Sequence, residues 1–176
     1  MAAFVALIRA IGPVTHAKMS MAALREGCEA AGVGDVTTYG NTGNLLCTSD
    51  QNADAVRLLV QGVVNGFDLD NEVFIRTSRQ LAAVVKANPF PTAASERPSA
   101  LGVCSFHRAP RWPDWVWDYD GPEQLAVVGS HLCVAYPAGI SASKLNLEKR
   151  LGVTMTERNW TTFSKLAERA AALAKG

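Results

Sequence analysis

Two polar stretches carry more hydrogen-bonding side chains than their turns require. The first is Tyr136-Pro-Ala-Gly139-Ile-Ser141-Ala-Ser143-Lys144-Leu145, and the second is Thr156-Glu-Arg158-Asn159-Trp160-Thr161. Each reads as a turn that opens a helix. Lys144 falls near the first turn of its expected helix, where the dipole favours negative charge, so its position is locally unfavourable. A bound anion at that helix N-terminus would account for it. Arg158 is not needed for capping and offers a planar fork to a carboxylate or phosphate. Arg9 ends an otherwise apolar strand, so it must snorkel, pair or line a pocket. Asn44, with Asn41 and Thr42, exceeds what a hairpin needs. The candidate ligand-binding residues are therefore Arg9, Asn44, Ser143, Lys144, Arg158 and Asn159, and the ligand they suit is a small anion.

Plainer readings compete. Ser141 or Ser143 can cap a helix while Lys144 stays solvated. Asn159 or Thr161 can cap the final helix, with Trp160 as its core anchor. Trp112, Trp115, Val116 and Tyr119 share one face if their segment is helical, which argues for core. Exposed, the tryptophans would instead stack bases beside Arg108 and Arg111.

Other chemistry is harder to build. Gly139-Ile-Ser-Ala-Ser-Lys144 departs from a phosphate-binding P-loop twice. Ser143 replaces the second Gly, and Leu145 replaces the hydroxyl residue that would meet magnesium. Cys28, Cys47, Cys104 and Cys133 have neither metal nor redox spacing, and His16, His107 and His131 form no ligand pair. No metal or cofactor is expected, and no nucleophile has a base that the sequence places beside it, so no reaction is assigned.

The 176 residues are 48% hydrophobic and 19% charged, with a formal net charge of +1, enough to bury one sizeable core or two small ones. That balance gives no footprint for duplex nucleic acid. Residues 140–176 hold seven Lys/Arg against three Glu, which a solvated helical face explains. The start lacks a basic n-region, no apolar run reaches membrane-spanning length, and the scattered thiols suit a reducing compartment. A cytoplasmic protein without membrane segments is expected.

The elements that must position these residues read in order. Phe4–Ile8 is a buried strand, and Met21, Leu24, Cys28 and Ala31 recur at helical spacing after Ser20. Two strands flank Gly40-Asn-Thr-Gly-Asn44, a helix follows from Ala53, and Glu72–Arg76 is a strand with a helix from Ser78. Residues 89–98 read as a linker. The order then repeats: a strand from Leu101 to Phe106, a helix over 111–119, and a hairpin across Gly129-Ser130. A helix from about Ser143 to Leu151, a strand from Val153 to Thr156 and a helix from Thr161 complete it. The fold class is α+β: two ferredoxin-like (βαββαβ) halves, 1–88 and 99–176, each with a trailing helix. Phe4–Ile8, Val73–Ile75 and Leu132–Ala135 are apolar at every position, so both sheet faces need cover. The other half, the trailing helices or a second copy of the chain, as in a homodimer, can supply it.

The chain also resembles a bacterial family, the domain-of-unknown-function 1697 proteins. The matching residues are the opening strand to Arg9 and Ile11, Lys18-Met19 leading into Met21-Ala22-x-Leu24-Arg25, Gly43-Asn44, and Arg76-Thr77. Ala87-Asn88-Pro89-Phe90, Tyr136-Pro137-x-Gly139, Ser143-Lys144-Leu145 and Thr156-x-Arg158-Asn159-Trp160-x-Thr162 continue the series. Relatives usually carry Gly directly after the Arg and Asn after the Ile, where this chain has Ala10 and Gly12. The resemblance implies a two-part α+β fold and no activity. Three functions are carried forward: binding of a small anionic ligand, a non-catalytic interaction module, and a single-stranded nucleic-acid binder.

Overall fold

A computed structural model describes residues 1–176. The chain divides into two compact units, Met1–Ala82 together with Leu166–Gly176, and Ala83–Lys165. Each holds one four-stranded antiparallel sheet, so the protein is α+β.

In the first unit, β1 (Ala2–Ile8) is flanked by β3 (Asn44–Ser49) and β4 (Val73–Thr77), and β2 (Gly34–Thr38) forms the edge beyond β3. β1 and β3 pair from Ala2 opposite Ser49 to Leu7 opposite Asn44. Phe4, Ala6 and Ile8 join a core with Leu24 and Cys28 of α2 (Met21–Ala30) and Val56, Val60 and Val64 of α3 (Ala53–Gly66). Alternate residues Val5, Leu7 and Phe74 are buried as well, so both faces of this sheet are covered, as the unbroken apolar runs require. Ser20 and Asn52 cap α2 and α3 through bonds from Ala23 N and Ala55 N. Before α2 comes α1 (Pro13–Lys18). Gly43 is fixed by geometry: its φ is +81°, and a Cβ there would stand 2.8 Å from the Ile8 carbonyl oxygen.

α4 (Ser78–Ala87) follows β4 directly. Residues 89–98, expected as a linker, carry a short helix, α5 (Pro91–Glu96), started by Pro91 and followed by a 3₁₀ turn over Pro98–Ala100.

The second unit's sheet runs β6 (Gln124–Val128), β7 (His131–Ala135), β5 (Leu101–Ser105), β8 (Thr156–Asn159). Cys104, Phe106, Leu132, Val134, Tyr136 and Leu147 centre its core, and Trp112, Trp115 and Tyr119 pack against it. Packing on the core is what their spacing suggested, although Trp112 and Tyr119 lie outside the helix. The helix there, α6 (Asp114–Trp117), is shorter than expected, and Trp117 is exposed.

Two expectations are corrected. The helix expected from about Ser143 is α7 (Leu147–Leu151), so Lys144 does not lie in its first turn. Ser143 is extended and its Oγ accepts the Leu145 N–H at 3.1 Å, a local bond that competes with helix formation. The last strand is β8, three residues later than the expected start at Val153. The strand is polar and lies at the sheet edge, with Glu157 opposite Cys104. α8 (Trp160–Leu173) then begins at once, with Trp160 buried. No helix is long and apolar enough to cross a membrane.

Candidate functional site

The polar loop after β7 is held at both ends. Tyr136 N donates to the Ala100 carbonyl at 2.8 Å, and the Tyr136 and Leu145 side chains are buried. Between them the chain makes a 3₁₀ turn over Ile140–Ala142. The extended backbone at Ser143 sends successive side chains opposite ways: Ser143 turns inward and Lys144 is exposed.

Ser143 turns toward Glu123. The Glu123 carboxylate is buried and accepts two hydroxyls, Ser143 Oγ–H on Oε1 and Tyr119 Oη–H on Oε2, the latter at 2.5 Å. The Ser143 bond, followed by the Tyr119 bond, holds this carboxyl below its ordinary range. With their protons committed, both hydroxyl oxygens present lone pairs only. The Arg150 guanidinium lies 3.9 Å above the Trp115 ring and 5.5 Å from that of Tyr119. Tyr119, Glu123, Tyr136, Ser143, Lys144 and Arg150 are the polar lining of a cavity of about 320 Å³.

Tyr136 also faces the sheet, where its hydroxyl donates to Glu157 Oε1 at 2.7 Å. Burial pushes the Glu157 carboxyl up, opposed by hydrogen bonds from Tyr136 and from the Cys104 thiol. Cys104 itself is raised far above a free thiol, by burial first and then by the Glu157 charge. Glu157 lines a second cavity of about 210 Å³ with Tyr136, Ser143, Asn146, Glu148 and Met155.

The structure brings two of the six expected residues to the first cavity, Ser143 and Lys144. Arg158, in β8, donates to Thr156 Oγ1 at 2.9 Å and to the Glu157 carbonyl at 3.0 Å, and burial lowers it to about 10. Asn159 Oδ1 accepts from Thr162 N at 2.9 Å and so caps α8. Arg9 and Asn44 belong to the first unit. The Arg9 backbone bonds Glu72 and Asn71, and buried Asn44 ties the hairpin through Tyr39 O and Thr42 Oγ1.

Sequence reasoning missed Tyr119, Glu123, Arg150 and Glu157. Glu123 follows Gly121-Pro122, a dipeptide with turn chemistry and no sign of a site, and nothing local pairs Arg150 with Trp115 across the intervening chain. Tyr136 stood in the singled-out motif but had no role there. No group of three or more His, Cys, Asp or Glu is placed to hold a metal ion.

Over residues 1–131 the chain matches the family described as protein of unknown function DUF1697. Tyr119 and Glu123 lie inside the matched segment, and the Tyr136–Leu145 loop and Glu157 lie beyond it. Among solved structures, the chain is similar to the conserved bacterial protein SP0830 from Streptococcus pneumoniae. Identity is 18% and the TM-score 0.70, over 97% of this chain and 99% of that one, a likeness of fold alone. No curated protein matches.

Proposed function

The chain belongs to the DUF1697 family of proteins of unknown function, and from its own residues we propose that it binds a small anionic ligand in the cavity at the Tyr136–Leu145 loop. The observation that carries this is the pair of cations, Lys144 and Arg150, lining one cavity whose single acid, Glu123, already accepts two hydroxyls. Arg150 is stacked on Trp115, so its planar fork is oriented before a ligand arrives, and Lys144 adds a mobile point charge. The site is a loop site, because α7 starts after Lys144 and its dipole is not needed.

Each half is read as ferredoxin-like, in tandem within 1–88 and 99–176. The strand orders β2-β3-β1-β4 and β6-β7-β5-β8, with antiparallel neighbours throughout, support that reading. A cytoplasmic location fits four buried free thiols. The two other functions have less support. The apolar strands are buried rather than exposed, and Trp112 and Trp115 pack on the core, which leaves Trp117 as the exposed indole.

The test is thermal unfolding with phosphate against chloride at equal ionic strength. Phosphate should stabilise the wild type more than chloride does, and both Lys144→Ala and Arg150→Met should lose that excess. If wild type and Lys144→Ala respond alike, the reading is overturned.

A further inference from the structure

Two neighbouring cavities of the second unit share Tyr136, Ser143 and Leu145 in their walls. Their charges are opposite. Lys144 and Arg150 line the first, whereas the second is lined by Glu148 and Glu157 and by no Lys or Arg. We infer that the ligand is bipolar: a small molecule with an anionic group for Lys144 and Arg150 and a protonated amine for the Glu157 side. This rests on the anion-binding reading and specifies its ligand class.

Three observations bear on it. Glu157 is not a solvated surface acid. It reaches across Gly102 to accept the Tyr136 hydroxyl at 2.7 Å, and that same ring borders the anion cavity. A carboxylate has acceptor sites beyond those that Tyr136 and the Cys104 thiol use, and an ammonium brings three donors to them. Burial disfavours charge on Glu157, so a cation delivered by the ligand offsets a cost that the protein's lining leaves standing. Glu148 Oε1 accepts the Met155 N–H at 3.1 Å, which holds the second acid at the cavity wall. The two volumes, about 320 and about 210 Å³, suit a molecule the size of an amino acid or a phosphorylated small amine.

The experiment compares probes that differ by one group, titrated into the full chain by calorimetry: ethyl phosphate, phosphoethanolamine and ethylammonium. Phosphoethanolamine should bind the wild type about tenfold more tightly than ethyl phosphate, the scale of one added charge pair in a partly desolvated site. Glu157→Gln, which keeps the shape and the Tyr136 bond, should abolish that preference, so that phosphoethanolamine binds no more tightly than ethyl phosphate. Lys144→Ala should weaken both phosphates. Equal binding of ethyl phosphate and phosphoethanolamine by the wild type overturns the bipolar ligand while the anion site stands. Binding of neither overturns both. Because the wild-type comparison decides alone, the inference stays falsifiable even if Glu157→Gln misfolds.

Discussion

Glu157 Oε1 occupies the space where a side chain on Gly102 would begin. A Cβ built on Gly102 stands 1.9 Å from that oxygen and 3.1 Å from the Tyr136 ring. Glu157 pairs across the sheet with Cys104, yet it leans along β5 to the glycine because the Tyr136 hydroxyl lies there. Gly102→Ala should therefore expel the carboxylate and cost about 1–3 kcal/mol, the usual range for overpacking. Urea unfolding of Gly102→Ala, Glu157→Ala and the double variant checks it. The double variant should lose clearly less than the sum of the singles. Strict additivity would mean that the clash is not the cause.

Glu123 and Glu157 should respond to pH with opposite signs. Glu157 is raised above its usual 4.5, so the fold holds its proton more tightly than the unfolded chain does. Its contribution is complete below about 4.5 and declines as pH rises through the folded value. Glu123 is lowered, chiefly by the Ser143 hydrogen bond and then by Tyr119, so its contribution is present above about 4.5 and is lost as pH falls through the folded value. Melting curves from about pH 3 to about pH 8 on wild type, Glu157→Gln and Glu123→Gln separate them. Wild type minus Glu157→Gln should fall with rising pH, and wild type minus Glu123→Gln should fall with falling pH. Parallel profiles would refute the assignment.

The legible part of this molecule was whatever periodicity and turn chemistry encode. Phe4–Ile8 read as buried because it is apolar without alternation, and Ser20 and Asn159 stand where side-chain oxygens meet helix N-termini. The Ser143 helix was misplaced because its hydroxyl bonds Glu123 and the Leu145 amide, and neither partner is visible in a propensity. The cavity lined by Lys144 and Arg150 was half legible for the same reason. Lys144 sits in the conspicuous loop, whereas Arg150 gains its place from Trp115, far off in sequence. Glu157 is a lone acid in a polar strand until Tyr136 and Gly102 are set beside it.

All four thiols should be inert in the native state. Burial pushes Cys28 up to about 11 and Cys47 and Cys133 up to about 12, so the thiolate that attacks a reagent is scarce near neutrality. An aromatic disulfide reagent at pH 8 should titrate almost none of them before denaturation and all four after it. A rapid native phase would show that a cysteine is exposed through local opening, and alkylation followed by mass mapping would identify which one.

Trp115 should report on an anion bound in the cavity that Lys144 and Arg150 line. Arg150 lies 3.9 Å over its ring, so an anion that draws the guanidinium toward itself alters the charge above the indole. Phosphate should change the intrinsic fluorescence of the wild type with the same midpoint as its thermal stabilisation. Trp115→Phe should lose that change yet keep most of the stabilisation, because phenylalanine still offers a face to Arg150. Trp117→Phe, at an exposed position, should lose neither. Arg150→Lys separates charge from shape: a point charge retains some anion attraction but neither the stacked plane nor the two-pronged contact. Its phosphate affinity should fall between that of wild type and Arg150→Met, with the fluorescence change reduced. A fluorescence response that survives in Trp115→Phe would place the anion elsewhere.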